Sequence, residues 1–281
     1  MGRLNRSHTR FAINDGIAVL TLARPETRNA ITGEEMLAEM IGAIDEASAD
    51  LNVAVLIIEA EGPAFSAGGN VKDMAERKGL FAGTPEEINE GYRISIQRLT
   101  TAVLTTDLVT IAAVNGPAVG AGFDLVLGCD LRVGSTAARF AHTFIDLGII
   151  PGDGGAWLLP RVVGWQRAAD LSFTGRTVGA EEAVDLGILL EVLEPERLTT
   201  VVLELAAQIA AKPTHSVRLT KRLLRHSRQM DLAGFLDLSA AYQAISHHTE
   251  AHTTAVDNFV YRLGRKGTGG HAIAQVETSD G

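Results

Sequence analysis

The sequence predicts an α/β core followed by a C-terminal helical extension. Three observations carry that expectation. Apolar strand-like runs alternate with helical patterns through the first half of the chain. Two glycine-rich loops each follow such a run and lead into a helix. From Trp157 onward most segments read as helix, ending in the amphipathic stretches 197–211, 214–230, 232–248 and 250–264.

In chain order, Gly16 to Leu22 (GIAVLTL) is a short apolar run behind a glycine and reads as a strand. Thr32 and Glu35 have capping-box spacing and open a helix whose core face is Leu37, Met40, Ile41 and Ile44. Val53 to Ile58 (VAVLII) is continuously aliphatic, the pattern of a strand buried on both faces. The first glycine loop, Pro63 to Asn70, follows it. Thr84, Pro85 and Glu87 supply a cap, a first-turn proline and a third-position acid, predicting a helix to about Thr106. Val109 to Val114 is another buried strand and enters the second loop, Asn115 to Asp124. The polar, glycine-rich tail from Gly267 reads as disordered.

A chain of 281 residues, 46% hydrophobic, buries a sizeable core. With 25 basic against 34 acidic residues its net charge is -9, which argues against nucleic acid or an anionic membrane as partner. The N-terminus has no apolar run behind its basic residues, and no apolar stretch reaches the ~20 residues of a membrane helix. The single cysteine, Cys129, excludes an intramolecular disulfide and fits a reducing cytoplasm.

Neither glycine loop matches a phosphate motif: GxxxxGK[ST] is absent, and GAGFDL departs from GxGxxG at its last position. Small residues at a strand end let a ligand approach the backbone, and the helix that follows offers unpaired N–H groups. Two such donors aimed at one oxygen make an oxyanion hole. Read singly, each loop is also an ordinary βα turn.

The pair, in this order, resembles the crotonase (enoyl-CoA hydratase/isomerase) superfamily. The segments that carry the resemblance are LARPETRNAIT (22–32), AFSAGGNVKDM (64–74), AAVNGPAVGAGFDLVLGCDLRVGS (112–135) and FIDLGIIPGDGGAWLLPRVVG (144–164). FTGRTVGAEEAVDLGILLEVL (173–193) and the helix carrying Lys221 also match, so the resemblance covers roughly residues 11–265. It implies a crotonase-like spiral of ββα units over 11–195, preceded by an extension over 1–10. A helical trimerisation region would follow over 196–265, and a disordered tail over 266–281. It implies a homotrimer or hexamer, with Val217, Leu219, Leu223 and Leu224 on apolar helix faces. It further implies an acyl-CoA substrate, no cofactor beyond that CoA, and a place in fatty acid metabolism. The oxyanion N–H groups fall at Gly69 and Ala121. The CoA lies along Ala67, Gly68, Asn70 and Lys72, with Arg24 and Lys72 near its phosphates.

The acids depart from the family pattern. Its hydratases use two glutamates, whose positions here hold Asp124 and Phe144, and a phenyl ring neither donates nor accepts a proton. Two carboxylates lie nearby. Asp146 shares the face of Phe144 if that segment is extended and points elsewhere if it is helical. Asp153, in PGDGG, is either a helix N-cap or the missing acid. The expected catalytic pair is therefore Asp124 and Asp153, with Phe144 lining the acyl pocket. The expected chemistry is hydration or double-bond isomerisation of an acyl-CoA. The alternatives are a β-diketone C–C hydrolase of the oxocamphor hydrolase type, suggested by PGDG, and an inert acyl-CoA-binding relative, suggested by Phe144. His142 reads as structural, Cys129 as a packed thiol and Ser66 as lacking a GxSxG setting. His248 and His252 stand at a metal-compatible spacing without a third ligand, so no metal is expected.

Overall fold

The computed structural model describes residues 6–268, and side chains as far as Arg262. Residues 1–5 of the expected extension, and the tail beyond Thr268, lie outside the described residues.

The core is a six-stranded sheet. Its first two strands, β1 (Thr9–Asn14) and β2 (Ile17–Leu22), form an antiparallel hairpin. Both turn residues, Asp15 and Gly16, have positive φ, as a two-residue hairpin requires. Sequence reading missed β1, whose alternating burial gives it no continuous apolar run. After α1 (Glu34–Ala49) come β3 (Val55–Ala60), the short α2 (Val71–Ala75), α3 (Pro85–Ile94), α4 (Ile96–Thr105) and β4 (Val109–Val114). Then follow β5 (Pro117–Val119), α5 (Ala121–Gly128), β6 (Leu131–Ser135), β7 (Arg139–Ala141), α6 (Gly155–Val163) and α7 (Trp165–Thr174). Next are β8 (Thr177–Gly179), α8 (Ala180–Asp185), β9 (Glu191–Leu193), α9 (Pro195–Ala210), α10 (Thr214–His226), α11 (Leu232–His247) and α12 (Glu250–Thr268).

The large sheet runs β1-β2-β3-β4-β6-β9, parallel from β2 onward; a second sheet runs β5-β7-β8. Parallel strands bury both faces. On one face Leu56, Ile58 and Val114 join Met40 and Ile44 of α1 in the main core. On the other, Val55, Ile57 and Ile111 pack under Leu198, Val202 and Ala206 of α9. α9 thus belongs to a compact unit that runs to Arg218. A second unit begins at Leu219; in it α11 and α12 expose Leu236, Ile245, Val256 and Phe259. No helix among the described residues is long and apolar enough to cross a membrane.

Two local expectations are corrected. Thr32 does not cap α1: its N-cap is Gly33, without a side-chain bond, because the Thr32 hydroxyl accepts the Asn70 N–H at 3.1 Å. The helix expected to run to Thr106 breaks at Ser95 (φ -118°, ψ -97°) into α3 and α4. Its start is as expected, with Thr84 and Glu87 closing a capping box.

Candidate active site

The two glycine loops are zipped together by their backbones. The Ser66 N–H donates to the Pro117 carbonyl at 3.1 Å, and the Val119 N–H donates to the Ser66 carbonyl at 2.9 Å. Beneath them the Ser66 hydroxyl donates to the Asn29 carbonyl at 2.7 Å and accepts the Gly68 N–H at 3.0 Å. Ser66 is therefore a fully bonded loop strut rather than a free nucleophile. Buried Asn29 holds the same loop, donating to the carbonyls of Glu61 and Ala64. Its role had no sequence signal, because its partners are 32 and 35 residues away. Only glycine fits at Gly68: φ is +74°, and a Cβ would lie 2.3 Å from the Val119 oxygen and 2.9 Å from the Ala121 nitrogen. Gly69, next in the chain, and Ala121 thus come side by side. Neither N–H finds an acceptor among the described residues.

Ala121 is the first residue of α5, so Asp124 lies one turn into that helix. Ala121, Asp124 and Asp153 open onto one narrow cavity, whose other walls include Ile31, Ile96, Leu99, Val103 and Leu125. Asp153 arrives from the loop before α6. Two α4 side chains pin that loop: Thr100 donates to the Asp153 carbonyl at 2.6 Å and Gln97 to the Gly152 carbonyl at 2.8 Å. The helix-cap reading of Asp153 does not survive. The N-cap of α6 is Gly154, with no side-chain bond, and Asp153 turns inward, 4% exposed.

Two carboxyls in an apolar setting cannot both hold a charge cheaply. Burial pushes Asp124 up to about 7, opposed by Asp153 and by the Gly155 N–H. Burial pushes Asp153 higher, to about 9, reinforced by the charge of Asp124. The carboxyls are close enough to govern each other's protons. Yet both Asp124 oxygens and Asp153 Oδ1 lack a fully aligned hydrogen bond, as is common before a substrate tightens a site. Burial, together with the charge of Asp153, raises the hydroxyl of Tyr92 in α3. His142 is the member that sequence reading set aside as structural. It is 1% exposed, with Nε2 3.2 Å from Asp124 Oδ1 and Nδ1 3.0 Å from the Ser172 hydroxyl. Burial lowers its pKa, opposed by the charge of Asp153, and so favours the neutral ring. Its position two residues before Phe144 was the one available hint.

Phe144 packs edge-on against His142, with ring centroids 5.0 Å apart, and borders an apolar cavity with Ile149, Pro160 and Phe173. Asp146 lies in a 3-10 turn, Ile145–Leu147, and is exposed, away from the pair. Asn70 caps α2, accepting the Lys72 N–H at 3.1 Å. Lys72 is exposed, Ala67 is half-buried, and Arg24 pairs with Glu26. No group of three or more metal-ligating side chains occurs among the described residues. His252 Nε2 meets His247 Nδ1, 3.1 Å away.

The enoyl-CoA hydratase/isomerase family model matches residues 12–265. The chain belongs to the enoyl-CoA hydratase/isomerase family.

The chain is accordingly an enzyme of that family, whose chemistry is the hydration or isomerisation of acyl-CoA. It is 31% identical to 1,2-epoxyphenylacetyl-CoA isomerase of Escherichia coli, over 92% of this chain and 97% of that one. It is also 31% identical to short-chain-enoyl-CoA hydratase of Clostridium acetobutylicum, over 87% and 91%. The structure of enoyl-CoA hydratase from Bacillus anthracis superposes with a TM-score of 0.84 at 28% identity, covering 91% of this chain and 97% of that one. The crotonase fold expected from the sequence is therefore present. In this chain two backbone N–H groups without acceptors, two buried aspartates, a buried histidine and Phe144 come together around the cavity and its edge.

Proposed function

We propose that the enzyme isomerises a double bond in an acyl-CoA through a thioester enolate. The observation that carries this reading is the meeting of Asp124 and Asp153, both buried, at the cavity opened by Ala121. The Gly69 and Ala121 N–H groups hold the thioester oxygen. Asp124, one turn beyond Ala121, removes a proton from C2 of a 3-enoyl thioester, and the electron pair moves onto that oxygen. Protonated Asp153 then returns a proton at C4, and the double bond is left conjugated with the carbonyl. A proton passing from Asp124 to Asp153 resets the pair. No cofactor beyond the CoA of the substrate enters.

Ala67, Gly68, Asn70 and Lys72 line the course of the CoA, Arg24 and Lys72 serve its phosphates, and Phe144 walls the acyl pocket. We assign the enzyme to a homotrimer or hexamer in the cytoplasm and to fatty acid metabolism. The exposed apolar residues of α11 and α12 support the assembly, and the lone cysteine supports the compartment.

The test is turnover of 3-enoyl-CoA and 2-enoyl-CoA thioesters by the purified enzyme. Isomerisation should exceed hydration, and Asp124→Asn and Asp153→Asn should each lower it ~100-fold. Tight CoA binding without turnover would make the protein an inert relative. Cleavage of a β-diketone without CoA would make it a C–C hydrolase.

A further inference from the structure

We propose that His142 and Ser172 are positioning residues that make Asp124, rather than Asp153, the base of the pair. This rests on the isomerase reading above.

His142 Nδ1 lies 3.0 Å from the Ser172 hydroxyl, and Nε2 lies 3.2 Å from Asp124 Oδ1. A neutral imidazole carries one N–H, and the partner of each nitrogen decides which. If Nδ1 held the proton, the bare lone pair of Nε2 would face a carboxylate oxygen. The Ser172 hydroxyl would then have to accept from the ring and donate elsewhere, and it has no other partner among the described residues. If Nε2 holds the proton, both contacts become favourable: Ser172 donates to Nδ1, and Nε2–H lies beside Asp124 Oδ1 at 3.2 Å, an attractive contact short of an aligned hydrogen bond. Phe144 and Phe123 both stand edge-on to the ring, with centroids 5.0 and 6.2 Å away.

The consequence is an asymmetry between two otherwise similar acids. Asp124 faces the His142 N–H on one side and the Gly155 N–H, at the start of α6, on the other. A Cβ at residue 155 would strike both carboxylate oxygens of Asp124 and His142 Nε2, each within 2.4 Å, so glycine is what brings that N–H so near. Asp153 has its own backbone N–H as a donor, and among the described residues no histidine nitrogen lies as near to it as His142 Nε2 does to Asp124; Asp153 Oδ1, like both Asp124 oxygens and His142 Nε2, lacks an aligned hydrogen bond. The titratable neighbours are these: Asp124 meets Asp153 and, by contact, His142; Asp153 meets Asp124 and Tyr92 and feels the charge of His142 at longer range. Donors favour the ionised form of the acid they face. The single charge of the pair therefore rests on Asp124, the carboxyl one turn from Ala121, and the proton rests on Asp153.

Two measurements test this, one independent of activity. In the intact enzyme labelled with ¹⁵N-histidine, NMR should show a neutral His142 ring protonated at Nε2; protonation at Nδ1 would overturn the proposal. His142→Phe should lower kcat/KM for isomerisation about 100-fold. It should also move the acidic limb of the pH profile upward by about one pH unit. His142→Gln, which keeps an N–H near the position of Nε2, should restore most of both. A His142→Phe enzyme with the parental pH profile would overturn the idea. Should the parent turn over no acyl-CoA, the isomerase reading fails by itself. The carboxyl ¹³C titration of Asp124 then decides this proposal, since an unmoved midpoint in His142→Phe refutes it. If His142→Phe does not fold, Ser172→Ala takes its place. It should let the ring populate both tautomers, and an unchanged ¹⁵N spectrum would count against the proposal.

Discussion

Asp124 and Asp153 carry opposite protonation duties on nearly identical side chains, and pH exposes the difference. Asp124 works ionised, so activity falls as pH drops through about 7; Asp153 works protonated, so activity falls as pH rises through about 9. A pH profile of kcat/KM should be bell-shaped between those limits, and a flat profile from pH 6 to 10 would reject the pair. Stability should follow the same groups with a definite sign. A carboxyl raised in the folded state stabilises fully below its ordinary 3.8, and that contribution is lost as pH climbs through the raised value. Asp153→Asn should therefore raise the melting temperature by several degrees, more at pH 9 than at pH 5, while activity collapses. Calorimetry at the two pH values reads this directly.

Among the elements, the site is made where the first turn of α5, the Gly68 loop and the start of α6 converge. α5 supplies a backbone donor from Ala121 and an acid from Asp124, so its position matters more than any one of its side chains. Ala121→Pro deletes the donor while suiting a helix start, and should cost ~100- to 1000-fold in kcat. Near-normal turnover in a folded, CoA-binding Ala121→Pro enzyme would remove Ala121 from the oxyanion hole. α4 contributes through Thr100 and Gln97, which fix the Asp153 loop. The break at Ser95 lets α4 take its own direction under the cavity.

For the whole molecule, the question is what covers the apolar residues of the second unit. Leu236, Phe259 and Val260 are each more than half exposed, a large amount of apolar side chain to leave in water. Light scattering at micromolar concentration should report a trimer or hexamer, and a clean monomer would defeat the assembly proposed here.

The strands β2, β3 and β4, the start of α3, the four C-terminal helices and both glycine loops were legible in the sequence, because each rests on local periodicity or local turn chemistry. The family could be recognised for the same reason: its motifs are contiguous. Asp124 and Asp153 could be named as candidates. Whether Asp153 capped a helix or faced the pocket could not be read, since an Asp before Gly-Gly suits both. Only the tertiary structure decided it, by pinning that loop to α4 and burying the carboxyl beside Asp124. The same holds for His142, Asn29 and Ser66, whose roles are set by partners 18 to 37 residues away or by several elements at once. Sequence patterns record what a residue does within its own element. Hydrogen bonding and desolvation at a site depend on which elements meet there, and that is a property of the folded chain.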